Sequence, residues 1–141
     1  MRVITREQAQ NLDRMAMGDY GISGEALMGN AGLKLAEFIR LNLVDIHSPK
    51  IGIVCGKGNN GGDGFAAATV LFENNYNVRI HSLCKNNVIK GDSLNFYLKC
   101  ESLGIFTTFG ELLADFKIPD LIIDGLLGTG FKGALRKSMT P

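Results

Sequence analysis

A doubly wound α/β domain on a mainly parallel sheet, preceded by N-terminal helices, is the fold class this sequence predicts. Three observations point to it. Short apolar runs rich in β-branched residues recur after residue 49, at "KIGIVCG", "NVRIHSLC" and "PDLIIDGLLGTG". Helical patterns separate them, at "DGFAAATVLFENN" and "GDSLNFYLKCESLG". A strand, helix, strand, helix, strand order is the signature of right-handed parallel crossovers. The third observation is composition: 141 residues, 45% hydrophobic and 21% charged, suit one domain spanning 1–141 with a single core.

The elements follow in order. Thr5 with Gln8 makes a capping box, and Ala9, Leu12, Met15 and Ala16 repeat at helical spacing until Gly18. Ser23 caps a second helix whose apolar face carries Leu27, Met28, Ala31, Leu35, Phe38 and Ile39. "KIGIVCG" reads as a fully buried parallel strand. The next helix has Asp63 near its start and Asn74-Asn75 at its end, and the one after the second strand is capped by Asp92 or Ser93. No internal repeat or linker interrupts this order.

Charge and cysteine usage exclude several classes. A net charge of +1 with scattered basic residues gives no footprint for nucleic acid or anionic lipid. No apolar run is long enough for a signal peptide or membrane span. Cys55, Cys84 and Cys100 lie at wide spacings with no C-x-x-C pair, which fits reduced, buried thiols in a cytoplasmic protein. His47 in a connection and His81 inside a strand read as structural or surface residues.

The chemistry is concentrated in "GKGNNGGDGF", residues 56–65, where Gly56, Gly58 and Gly61 satisfy a dinucleotide fingerprint. Gly58, Gly61, Gly62 and Gly64 would let backbone amides approach an anion at a helix N-terminus. The second glycine-rich loop follows Ile123, so both loops lie at carboxyl ends of strands and can face one pocket. An ordinary nicotinamide dehydrogenase fits poorly, because the second strand ends at Leu83, Cys84 and Lys85, with no acidic ribose anchor. No G-K-[ST] follows the last glycine, which excludes a Walker A loop.

Each polar candidate has two readings. Asp63 is a helix cap or a ligand-facing carboxylate. Asn59 and Asn60 serve the turn or offer amide groups at the pocket mouth. Asp124 caps the next turn or, with Asn60, supplies oxygen ligands to a hard cation.

"GKGNNGGDGFAAA", "IIDGLLGTGFKG" and the upstream "ALMGNAG" together resemble the NAD(P)H-hydrate epimerase family, the YjeF N-terminal domain. The resemblance runs from the first helix to the end of the chain and implies a Rossmann-like fold. It implies an isomerase that interconverts the R and S epimers of hydrated NADH or NADPH. A companion ADP- or ATP-dependent NAD(P)H-hydrate dehydratase, fused or separate, would restore the nucleotide, and a homodimer is compatible with the family. By the same resemblance Asn59, Asn60, Gly61, Gly62 and Asp63 form the first ligand-binding segment. Gly128, Thr129, Gly130, Phe131, Lys132, Gly133 and Ala134 form the second, with Lys132 meeting a phosphate or standing solvated in its loop. A potassium ion would be held by Asn60 and Asp124, while Asp124 and Asp63 are the candidate catalytic carboxylates.

Two departures from the family pattern stand out. Lys57 replaces the proline of its usual G-P-G, and nothing matches the downstream V-D-I-P-S-G segment that completes the family's substrate and potassium sites. The sheet is therefore expected to be incomplete in this chain, leaving an unpaired edge and apolar surface. A noncatalytic YjeF-like binding or scaffold domain is the alternative function.

Overall fold

The computed structural model describes residues 3–42, 48–110 and 119–128. Helix α1, Arg6–Gly18, opens with the expected capping box. Gln8 N–H donates to Thr5 Oγ1 at 3.2 Å, and Thr5 N–H donates to Gln8 Oε1 at 2.8 Å. The stripe assigned to its inner face is displaced: Leu12 and Met15 are exposed, and only Ala9, Gln10 and Ala16 are half-buried. No α1 residue is fully buried, so nothing presses a larger side chain inward.

Helix α2, Gly24–Asn42, starts where Ala26 N–H donates to Ser23 Oγ at 3.1 Å. Its buried stripe is Met28, Gly32, Ala36 and Ile39. Phe38, expected on that stripe, is exposed. The reason is close helix contact: a Cβ added at Gly32 would stand 2.6 Å from the backbone of Ala66 and Ala67. Only small side chains fit such an approach.

Four parallel strands form the sheet in the order β3-β2-β1-β4: β1 Lys50–Cys55, β2 Asn77–Ser82, β3 Phe106–Phe109 and β4 Leu121–Gly125. Strand β3 has no counterpart among the runs the sequence predicts. Helix α3, Asn59–Glu73, crosses the sheet between α2 and α4, Asp92–Ser102. A short 3-10 turn, Asn86–Val88, precedes α4. The N-cap of α4 is Gly91 at φ 60°, with no side-chain cap, so neither Asp92 nor Ser93 takes the capping role assigned to it.

Ile51, Ile53, Cys55, Val78, Ile80 and Ile123 face the helices and pack with Phe65, Ala68, Leu71, Tyr97 and Cys100 into the core. Tyr97 joins both sides, its ring 5.7 Å from Phe65 and 5.8 Å from Phe109. Strand registers align Ile122, Gly52, Arg79 and Phe106 across the other face, followed by Asp124, Val54, His81 and Thr108. Ile122 is 57% and Phe106 60% exposed. Arg79 stacks its guanidinium 5.5 Å from the Phe106 ring centre. Among the described residues, no helix is long and apolar enough to cross a membrane.

Candidate functional site

Pairing of β1 with β4 brings the two glycine-rich segments side by side, as their positions at carboxyl ends of strands predict. Gly56 N–H donates to Gly125 O at 3.0 Å where both strands end. Gly125 sits tightly, since a Cβ there would lie 3.1 Å from the carbonyl oxygens of Val54 and Asn60 and would require them to shift. One turn later a Cβ at Gly128 would lie 3.1 Å from Asn60 Cβ and 3.5 Å from its Oδ1. Asn60 is thus wedged between its own helix and the start of the second loop.

The glycines of the first motif act differently from expectation. Helix α3 begins at Asn59, so the motif from Asn59 onward is helical rather than loop. A Cβ at Gly61 would collide with the Gly56 carbonyl, and one at Gly62 would stand 2.5 Å from both Met28 Sδ and Ser93 Oγ. At Gly64 it would lie 2.9 Å from Cys55 Sγ. These three glycines permit close packing, which the helix pays for in propensity. Only Gly58, the N-cap at φ −96°, faces open space. It provides no side-chain cap, so the first amides of α3 remain oriented for an anion. Lys57 beside it is exposed.

Asp63 is not a helix cap, since it lies in the second turn of α3. Its half-buried carboxyl has no hydrogen bond or ion pair among the described residues. Burial pushes its pKa up to about 6, and the like charge of Asp13 on α1 adds to the rise. Asp13 lies between half-buried Ala9 and Ala16 at spacings of four and three, a pattern the sequence contained but a search for motifs passed over.

Asp124 is exposed at the end of β4. Its Oδ1 accepts the Leu126 N–H at 2.9 Å, so the turn-capping role is realised. The cation reading is tested by donor chemistry: a carboxylate on β4 and an amide oxygen from Asn60, next to the same loop, are hard oxygen ligands. They fit potassium better than a nitrogen- and sulfur-seeking metal. Among the described residues, no group of three or more His, Cys, Asp or Glu side chains could hold a metal ion.

His81 is buried, with Nδ1 2.7 Å from Thr108 Oγ1 and Nε2 3.0 Å from Gly110 O, which agrees with a structural role. Cys55 and Cys100 are buried free thiols and Cys84 is half-buried. Ser93, missed as a site residue, donates its hydroxyl to Gly58 O at 3.2 Å. Thr129, Gly130, Phe131, Lys132, Gly133 and Ala134 lie outside the described residues, as does His47.

Comparison with known proteins agrees with this architecture. The crystal structure of yeast ynu0 superposes with a TM-score of 0.81 at 20% identity, covering 97% of this chain and 61% of that one. A bifunctional NAD(P)H-hydrate repair enzyme Nnr of Moorella thermoacetica is 36% identical, over 95% of this chain and 27% of that protein. An NAD(P)H-hydrate epimerase of Rhodopirellula baltica is also 36% identical, over 94% of this chain and 54% of its own length. The chain therefore spans about a quarter to a half of these two relatives. The family model described as YjeF-related protein N-terminus matches residues 24–141, and the chain belongs to that family.

Proposed function

We propose that the chain forms the ligand-binding front of an NAD(P)H-hydrate epimerase, which interconverts the R and S epimers of hydrated NADH or NADPH. The observation that carries this reading is the pairing of β1 with β4, which sets Asn60 against Gly128 beside Asp124. Uncapped amides at the start of α3 suit the pyrophosphate of a dinucleotide. Asn60 and Asp124 would hold a potassium ion, which supplies fixed positive charge beside an anionic ligand.

The reaction inverts a carbon that carries both a hydroxyl and the ring nitrogen. A carboxyl gives its proton to the hydroxyl oxygen, the C–O bond breaks, and the nitrogen lone pair closes a C=N bond as water leaves. Water then adds to the opposite face, and the carboxylate takes a proton back, so nothing is consumed. Asp63 is the better candidate for this group, because a pKa of about 6 permits both states near neutrality. Asp124, more exposed and engaged by Leu126 N–H, suits the cation role.

A noncatalytic scaffold would need the packing glycines equally. It has no need of a half-buried carboxyl that lacks a hydrogen-bonding partner among the described residues. The naming of some relatives as bifunctional repair enzymes supports action alongside a dehydratase, fused or separate. Free thiols support a cytoplasmic setting.

The test supplies purified R epimer of hydrated NADH to the full-length protein, with and without potassium. Formation of the S epimer is followed by chromatography against the spontaneous rate. Potassium-dependent acceleration is expected, lowered at least about tenfold in Asn60→Ala and Asp124→Ala, on the scale of lost charge-assisted contacts. No acceleration over the spontaneous rate would favour the scaffold.

A further inference from the structure

We propose that Ser93 is a positioning residue for the ligand-binding segment, fastening the start of α4 to the carbonyl at which α3 begins. Its place in the site rests on the epimerase reading above. Its physical basis does not.

Ser93 is only 2% exposed, and its hydroxyl donates to Gly58 O across 35 positions of sequence. A buried hydroxyl without a partner is costly, so this donor needs its acceptor. The acceptor does not need this donor. Gly58 O already receives the Gly62 N–H at 3.0 Å as the first bond of α3, and Ser93 takes its remaining lone pair. The second bond therefore adds nothing to hydrogen-bond satisfaction at Gly58; what it adds is a fixed direction for the peptide unit that enters Asn59.

Local helix needs do not account for the hydroxyl. Helix α4 has Gly91 as its N-cap with no side-chain cap, so the Ser93 hydroxyl is not engaged in capping its own helix. Packing supplies the rest of the fastening. Gly62 lies between Ser93 Oγ and Met28 Sδ, each 2.5 Å from where its Cβ would be, so α3 is held between α2 and α4 at this point. The amides of Asn59 and Asn60 then have one orientation before any ligand arrives, which lowers the ordering cost of binding.

The experiment compares the full-length protein with its Ser93→Ala variant by two readouts. The variant folds, because Gly58 O keeps the Gly62 N–H and no acceptor is left unsatisfied. The first readout is backbone hydrogen exchange. Exchange at the Gly62 and Asp63 amides, the first hydrogen-bonded ones of α3, should quicken about five- to tenfold, the factor that one net hydrogen bond gives, with α4 unchanged. Unchanged exchange at Gly62 and Asp63, or equal quickening throughout the molecule, would overturn the proposal.

The second readout is steady-state epimerisation. KM for the hydrated nucleotide should rise about three- to tenfold with kcat within about twofold, the pattern of lost uniform binding. An unchanged KM, or a fall in kcat alone, would overturn it. A parent protein that turns over no substrate would sink the epimerase reading instead, and hydrogen exchange would then decide the proposal by itself.

Discussion

Asp63 carries its raised pKa at a cost in stability. Its folded pKa of about 6 lies above the ordinary 3.8, so between these values the native state holds a proton that the unfolded chain has released. The sign follows from linkage: stability falls as pH rises from about 4 to 6, and the penalty is complete above that window. Asp63→Asn should therefore stabilise the protein by about 1 kcal/mol at pH 7.5 after allowance for solvent screening. It should give no gain at pH 3.5. Thermal unfolding at the two pH values checks this, and equal gains at both would contradict the burial argument. On the proposed epimerase reading the same variant loses turnover, which separates the stabilising effect from the chemical one. The identity of this residue was legible in the sequence as a candidate. Its state was not, because burial and the approach of Asp13 depend on where α1 comes to rest.

Helices α2 and α3 meet through glycine at two levels, and the two contacts should differ in cost. At Gly32 an added Cβ meets backbone atoms of Ala66 and Ala67 at 2.6 Å, and only separation of the helices can relieve it. At Gly62 it meets the Met28 thioether, which can turn aside, and the Ser93 hydroxyl. Gly32→Ala should cost about 3 kcal/mol or more and Gly62→Ala about 1–2 kcal/mol, the upper and lower parts of the overpacking range. Urea unfolding of both variants measures the order, and a larger loss at Gly62 would reverse the assignment. These contacts explain why the start of α3 was misread. Five glycines in ten residues oppose helix by propensity, yet packing against Gly56, Met28 and Cys55 makes Asn59, Asn60, Gly61 and Gly62 helical. Strand β3 escaped for a related reason. Four residues, Phe106–Phe109, are too few to display a period, and their pairing with β2 defines them. The capping box of α1 was plain in sequence because both its bonds lie within four residues.

The three cysteines give a readout of the whole molecule. Burial raises the Cys55 thiol far above its ordinary range and pushes Cys100 up to about 12. Cys84 is half-buried, with Sγ 3.2 Å from Ser82 Oγ. In the native state one thiol, Cys84, should react with a thiol reagent, and Cys55 and Cys100 should follow only with unfolding. Counting modified thiols along a denaturant titration checks this, and early reaction of Cys100 would show that α4 opens separately from the sheet. The strand order carries a further consequence, for the time course of folding. Strands β1 and β2 with α3 are neighbours in sequence, whereas β4 reaches β1 only after the chain has passed through α4 and β3. The bond from Lys50 N–H to Asp120 Oδ2, 2.7 Å long, closes a separation of 70 residues. Such a closure carries a large entropic cost before its contacts form. The contact between Asn60 and Gly128 therefore comes into being late, and a refolding chain holds the first glycine-rich segment in place before the second arrives beside it.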